Sequence, residues 1–239
     1  RRLTTIRMLT HRVWQSRKRS GRHETWHSLN LLHRLHLTPG WFKPGLKVPE
    51  NPQEWSALCK WNLVPWELAQ QNIPDASTWL DSSLRCVIFH PGSHGSANNW
   101  PLDRYHEAAE WFLDRGCRIL LTGTQAEAMT MERLRLLEHP NFVDVTGQLE
   151  LGELMSLIQS VDGLLASSTG PLHLAATLGT PCVGLYGKEA PVWPERWHPV
   201  GIQARWLVAE NEDKSRGLDV SVVAVWEAFE QLWTARPRG

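Results

Sequence analysis

From residue 85 onward, short apolar runs alternate with stretches whose apolar residues recur every three or four positions. Residues 86–90, 117–121, 142–145, 161–166, 182–186 and 202–208 are short and mostly apolar without a helical period, which suits strands covered on both faces. Between them, 101–115 carries Leu102, Tyr105, Ala108, Ala109, Phe112 and Leu113 at helical spacing, with Gly116 as its stop. Helices are likewise predicted over 126–138, over 149–160 through Leu151, Leu154, Met155, Leu157 and Ile158, and over 220–232 with Asp219 as N-cap. Strands that alternate with helices of this length predict an α/β domain with a doubly wound parallel sheet.

The stretch from Val161 to Gly187 is the most informative. Its pattern is strand, tight turn, helix, strand, with Pro171 near the helix start and Gly179 and Pro181 after its end. Such βαβ crossovers are almost always right-handed. The turn Ser167-Ser168-Thr169-Gly170 then lies at the carboxyl end of a parallel strand and the amino end of a helix. Unused backbone N–H groups and the helix dipole favour an anion there, typically a phosphate. Two further polar loops, 92–99 and 122–127, fall on the same edge, where ligands of open α/β sheets bind. The chain has neither G-x-G-x-x-G nor a Walker loop, which argues against a dinucleotide oxidoreductase and a P-loop NTPase.

Residues 1–84 have a different character. Eight Arg or Lys residues precede the first acid, Glu24. Such a block reads as a solvated surface, or as one facing a phosphorylated or membrane-associated substrate. Residues 24–37 predict an amphipathic helix that ends at Thr38-Pro39-Gly40, and the Pro- and Trp-rich stretch 38–84 reads as a connector with short helices at 54–61 and 66–71. A boundary near 82–85 divides the chain into 1–84 and 85–239.

Formal charge is balanced at +0, and nothing in it points to nucleic acid. The 14 Trp, an unusual number, are spread along the chain rather than in a repeat. Cys59, Cys86, Cys117 and Cys182 form no C-x-x-C and read as core residues in a reducing compartment. His23, His27, His33 and His36 lack a completing ligand set, so no metal is expected. No apolar run approaches the roughly 20 residues needed to cross a bilayer.

Ser168-x-Gly170-x-x-His173-Leu174-Ala175-Ala176-x-Leu178-Gly179-x-Pro181 resembles the donor-binding signature of the bacterial lipopolysaccharide heptosyltransferase family. His90-Pro91-Gly92-Ser93 followed by Trp100-Pro101, then Gly123 with Glu127, then Thr146-Gly147 before a Leu-rich helix resemble other segments of that family, in the same order. Arg22-His23-Glu24 with Leu29, Leu31, Leu32 and Leu37 resembles the helix that closes its first domain. The resemblance implies a GT-B fold, with residues 85–239 as the C-terminal Rossmann-like nucleotide-sugar domain and 1–84 as the remnant of an acceptor-side domain. It implies ADP-heptose as donor, the Kdo–lipid A inner core as acceptor, no cofactor, and a cytoplasmic protein peripheral to the inner membrane face. By position, Ser93 and the loop after it would meet the phosphates and Glu127 the ribose hydroxyls. Ser168, Thr169 and Gly170 would hold the diphosphate or sugar, and His173 would sit just inside the helix.

Two positions depart from the family. Its Lys before Trp-Pro is Asn98 here, and its Asp before Thr-Gly is Ser168. A lysine stabilises the leaving diphosphate, an effect typically worth a few kcal/mol; Lys188, at the same strand edge, is the candidate substitute. The chain begins with Arg1, and the resemblance implies that about 90–100 residues precede it, including a glycine-rich loop and the acidic catalytic base. The catalytic residue is therefore not assigned. Alternatives to an inverting heptosyltransferase are a non-catalytic nucleotide-sugar-binding relative and a nucleotide-sugar epimerase.

Overall fold

The computed structural model describes residue 24 and residues 79–95, 97–189, 193–210, 212–213 and 217–235. The helices expected over 24–37 (beyond Glu24), 54–61 and 66–71, and Cys59, lie outside the described residues.

Six parallel strands form one sheet: β1 (Arg85–His90), β2 (Cys117–Leu121), β3 (Phe142–Asp144), β4 (Gly163–Ser167), β5 (Cys182–Tyr186) and β6 (Ala204–Val208). Their spatial order is β3-β2-β1-β4-β5-β6. Val87 pairs with Ile119 on one side and Gly163 on the other, so β1 and β4 are the central pair. The intervening helices are α1 (Leu102–Asp114), α2 (Gln125–Ala128), α3 (Glu132–Arg135), α4 (Leu151–Ser160), α5 (Gly170–Leu178), α6 (Pro194–Trp197) and α7 (Val222–Ala235).

The apolar runs lack alternation because both faces of the sheet are covered. Val87, Phe89, Ile119, Leu121, Leu165, Val183 and Leu185 point to a layer shared with α1 and α7. Cys86, Ile88, Leu120, Leu164, Ala166 and Cys182 point the other way, towards α4 and α5. Successive strand residues face opposite sides, so each strand must be apolar at almost every position. Phe112 stands at the centre of the first layer, edge-on to Phe89, Trp226 and Phe229. Gly163 lets α7 come close, because a Cβ there would meet the Phe229 ring at 2.6 Å. Cys86, Cys117 and Cys182 are free and buried, as small core residues would be.

Several boundaries differ from the sequence reading. The helix expected over 126–138 is two short helices, α2 and α3, because Thr130 donates its hydroxyl to the Glu127 carbonyl (2.7 Å) and the turn carries Met131 into the core. Serine and threonine hydroxyls compete in this way with helix hydrogen bonds. β4 begins at Gly163 rather than Val161, since the Asp162 carboxylate accepts the Cys86 N–H (2.8 Å) beside the ladder. β6 begins at Ala204 rather than Ile202. A small antiparallel ribbon, β7 (Glu212–Asp213) with β8 (Gly217–Leu218), was not anticipated.

Asp219 is not the cap of the last helix. Ser221 accepts the Ala224 N–H (3.1 Å), and α7 starts at Val222. Ser221→Ala is expected to lower stability by about 1 kcal/mol, measured by urea unfolding, whereas Asp219→Ala is expected to leave the helix end unchanged.

Candidate functional site

The strand order reverses direction between β1 and β4, and the crevice at such a reversal, outside the carboxyl ends of the strands, is where open α/β sheets bind ligands. The loops after β1, β2 and β4 all open there, as the sequence reading expected, because β1 is flanked by β2 and β4 and all three run parallel.

β1 ends in His90, whose Nδ1 is hydrogen-bonded to Thr122 Oγ1 at 2.9 Å across the β1–β2 edge. Burial holds His90 at a pKa of about 4; Glu127 works against the shift and His94 adds to it. The loop then turns through Gly92, where a Cβ would lie 2.0 Å from Glu127 Oε1. Gly92 is therefore the seat on which the Glu127 carboxylate rests. Ser93 is buried and donates its hydroxyl to the Ala97 carbonyl (3.1 Å), which keeps the loop folded back on itself. Asn98 lies in the same loop, whose far end is pinned where Leu218 N–H bonds the Asn99 carbonyl and Trp100 Nε1 bonds the Val220 carbonyl.

Glu127 sits in the first turn of α2, in a capping box with Thr124: Oε2 accepts both the Thr124 N–H (2.8 Å) and the Thr124 hydroxyl (2.9 Å). The carboxylate is buried rather than solvated. Burial alone would raise its pKa, but the two Thr124 hydrogen bonds, with help from His90 and His94, bring it below the usual value. Its second oxygen, Oε1, is buried with no hydrogen bond among the described residues; His94 Nε2 lies 3.6 Å away. Thus one oxygen holds the helix start and the other remains available to a ligand.

β4 ends in Ser167, and Thr169 is the N-cap residue of α5 in extended conformation. Its side chain does not cap the helix: Thr169 Oγ1 is buried and has no partner among the described residues. Gly170 is exposed, with no described residue within 4 Å of where a Cβ would stand. The amino end of α5 therefore combines unused backbone donors, an unsatisfied hydroxyl and room for an oxyanion. Ser168 is buried next to the Tyr186 hydroxyl, which donates to the Trp197 carbonyl.

His173 lies one turn into α5, with its ring 6.4 Å from that of Trp197. Burial, with a smaller push from His198, lowers its pKa to about 4. Lys188 follows β5, but its ammonium donates to the Glu210 carbonyl (2.9 Å) at the β6 edge. Near pH 7 His90 and His173 are neutral, and binding of an anion would rest on helix dipole, backbone N–H groups and hydroxyls.

The sequence reading placed His90, Gly92, Thr146 and Ser167 in the edge segments but gave none of them a role of its own, and it missed Gly92 as the seat of Glu127. Thr146 Oγ1, just after β3, is another buried hydroxyl without a partner among the described residues. The signal was a polar residue closing an apolar strand, which in a parallel sheet marks the ligand edge. Among the described residues, no group of three or more His, Cys, Asp or Glu converges as a metal site would, and no helix is long and apolar enough to cross a membrane.

The chain is similar to known proteins along most of its length. A lipopolysaccharide core heptosyltransferase, OpsX, of Haemophilus influenzae is 30% identical over 131 residues, which is 53% of this chain and 38% of the relative. This chain spans less than half the length of the curated relatives it matches. A family 9 glycosyl transferase of Veillonella parvula superposes with a TM-score of 0.64 at 21% identity, covering 96% of this chain and 64% of the other. The ADP-heptose lipopolysaccharide heptosyltransferase II of Escherichia coli does so with a TM-score of 0.59 at 24% identity, covering 85% and 57%. These two likenesses show the fold, a GT-B domain. The model of Glycosyltransferase family 9 (heptosyltransferase) matches residues 11–220, and the chain belongs to that family.

Proposed function

We propose that the protein is an inverting glycosyltransferase that moves a heptose from a nucleotide sugar, ADP-heptose, onto an inner-core lipopolysaccharide acceptor. In this reading residues 85–239 bind the donor and residues 1–84 belong to the acceptor side. The basic lead-in suits an anionic, lipid-linked acceptor met at the inner face of the cytoplasmic membrane by a peripheral protein.

The observation that carries the reading is a pair of unsatisfied groups on one sheet edge. Thr169 Oγ1 stands at the open amino end of α5, and Glu127 Oε1 stands over Gly92. A diphosphate fits the first and a ribose diol the second. An ionised carboxylate accepts from hydroxyls, and a helix start donates to phosphate oxygens. Ser93 and Asn98 follow Gly92 in its loop, and Ser168, Gly170 and His173 lie close to Thr169 in the chain. During transfer an acceptor hydroxyl oxygen attacks the anomeric carbon, the bond from that carbon to the phosphate oxygen breaks, and a carboxylate base takes the hydroxyl proton. The negative charge then developing on the diphosphate is met by the α5 amino end.

One observation favours a second reading, a nucleotide-sugar-binding relative without transferase activity. Position 98 is uncharged, and the Lys188 ammonium is engaged with Glu210 at the neighbouring strand edge. Calorimetric titration with ADP, UDP and GDP tests both. ADP is expected to bind in preference to the others, and Thr169→Ala is expected to weaken it about fivefold, the worth of one hydrogen bond of about 1 kcal/mol. Binding by the full-length protein without heptosyl transfer would favour the second reading. Absence of nucleotide binding by the full-length protein would overturn both.

A further inference from the structure

Arg196 and Glu24 are 172 positions apart and meet as an ion pair. Nη2 and Nε of Arg196 lie 3.0 and 3.1 Å from the same oxygen, Glu24 Oε2. The two side chains are only 17% and 11% exposed. Charges so far out of water persist only when paired, so each residue holds the other in place. The pair joins the lead-in to α6, the short helix in the connection between β5 and β6.

A contiguous set of contacts runs from α6 to the candidate site. The Arg196 guanidinium lies 5.3 Å from the centroid of the Trp197 ring. Trp197 faces the His173 ring of α5, and its carbonyl accepts the Tyr186 hydroxyl, which neighbours Ser168. His198, next in the chain, donates its Nδ1–H to the Pro194 carbonyl of its own turn (2.8 Å) and stacks on Trp206 of β6 at 4.7 Å. α6 thus rests on β5, β6 and α5 at once, and Glu24 braces its outer side. Arg196 has no direct contact with Thr169 or Gly170 in this set; it acts through Trp197.

We propose that the Glu24–Arg196 ion pair is a latch that seats α6 against α5, making Arg196 a positioning residue for the phosphate-binding end of α5. The effect on ligand binding rests on the reading of that helix end given above, whereas the seating of His173 does not. The latch also makes Glu24 part of the site's support.

The test uses the whole chain with Arg196→Gln, Glu24→Gln and the charge-exchanged double variant Glu24→Arg/Arg196→Glu. Circular dichroism and thermal melting first establish that each is folded. One readout is ADP affinity by calorimetry. The other is the titration of the His173 imidazole by NMR on histidine-labelled protein, assigned with His173→Gln. Arg196→Gln is expected to weaken ADP about five- to tenfold, the scale for a side chain acting on a site through its neighbours. It is also expected to move the His173 titration from about 4 towards the ordinary value of about 6.5. The exchanged pair is expected to restore most of both. Should Arg196→Gln fail to fold, Glu24→Gln, which keeps the shape of the carboxylate, carries the same readouts. Single variants that melt lower yet leave ADP affinity and the His173 titration unchanged would overturn the proposal. If the wild-type chain binds no nucleotide, the donor-site reading fails, and an unmoved His173 titration would still overturn the latch.

Discussion

Lowering the pH from 7.5 to 5 is expected to cost the domain about 2 kcal/mol of stability through His90 alone. His90 is buried at the end of β1, bonded to Thr122, and titrates at about 4 in the folded protein. In the unfolded chain it titrates near 6.5. Above 6.5 both states are neutral and the full stability is present. Below it the unfolded state binds the proton first, so stability falls by about 1.4 kcal/mol per pH unit until the folded state also protonates near 4. His173, half-buried and shifted in the same direction, adds a smaller loss over the same window. Glu127, held below its usual value, adds its own loss at still lower pH. Urea unfolding at the two pH values measures the difference. His90→Asn, whose amide nitrogen can stand where Nδ1 does, is expected to remove most of the slope between 6.5 and 5. An unchanged slope in that variant would show that other groups govern the acid limb.

Gly92→Ala is expected to lower ADP affinity by about 2 kcal/mol, roughly thirtyfold, and stability by about 1 kcal/mol. The new Cβ would lie 2.0, 2.3 and 2.7 Å from Oε1, Cδ and Oε2 of Glu127, so the carboxylate must leave its seat. It would then give up both Thr124 hydrogen bonds, and loss of a helix cap costs about 1 kcal/mol. On the function proposed above it would also leave the position from which Oε1 would take a ribose hydroxyl, and hydrogen bonds to a charged group are worth about 1.5–3 kcal/mol. Glu127→Ala is expected to have the same two effects. The informative result is the double variant. If Gly92 acts only through Glu127, Gly92→Ala adds almost nothing in a Glu127→Ala background, whereas independent roles would add. Calorimetry and urea melts on the four proteins give both cycles.

Much of the architecture was legible in the chain. β2 and β5 match their expected bounds residue for residue, because Cys117–Leu121 is apolar apart from Arg118, Cys182–Tyr186 is apolar throughout, and Gly116 and Pro181 precede them. α5 was equally clear from Pro171 at its start and Gly179, in left-handed conformation, at its end. The misreadings share a cause. Residues 126–138 have the composition of one helix, and what divides them is the Thr130 hydroxyl bonding the Glu127 carbonyl while Met131 turns inward. Asp219 and Ser221 are both good caps, and Asp219 instead gives its carbonyl to the Glu210 N–H in the connection that follows β6.

For the site, residue types and spacing along the chain determined that polar loops close three strands and that a helix starts at Ser-Thr-Gly. In a parallel sheet those loops must share one edge, because every strand points the same way. The same motifs carried the likeness to the heptosyltransferase family that residues 11–220 bear out. Local sequence could not reveal what each polar group does there. Tertiary structure decided that Glu127 spends one oxygen on Thr124 and leaves the other over Gly92, and that Lys188 is turned to the β6 edge. It also decided that His90 and His173 are kept neutral by burial, and that Glu24 meets Arg196. Helix and strand follow from periodicity, which a short window of chain already contains. Proton affinity, ion pairing and the fate of each hydroxyl depend on what distant residues exclude or supply, and that is fixed only when the layers pack.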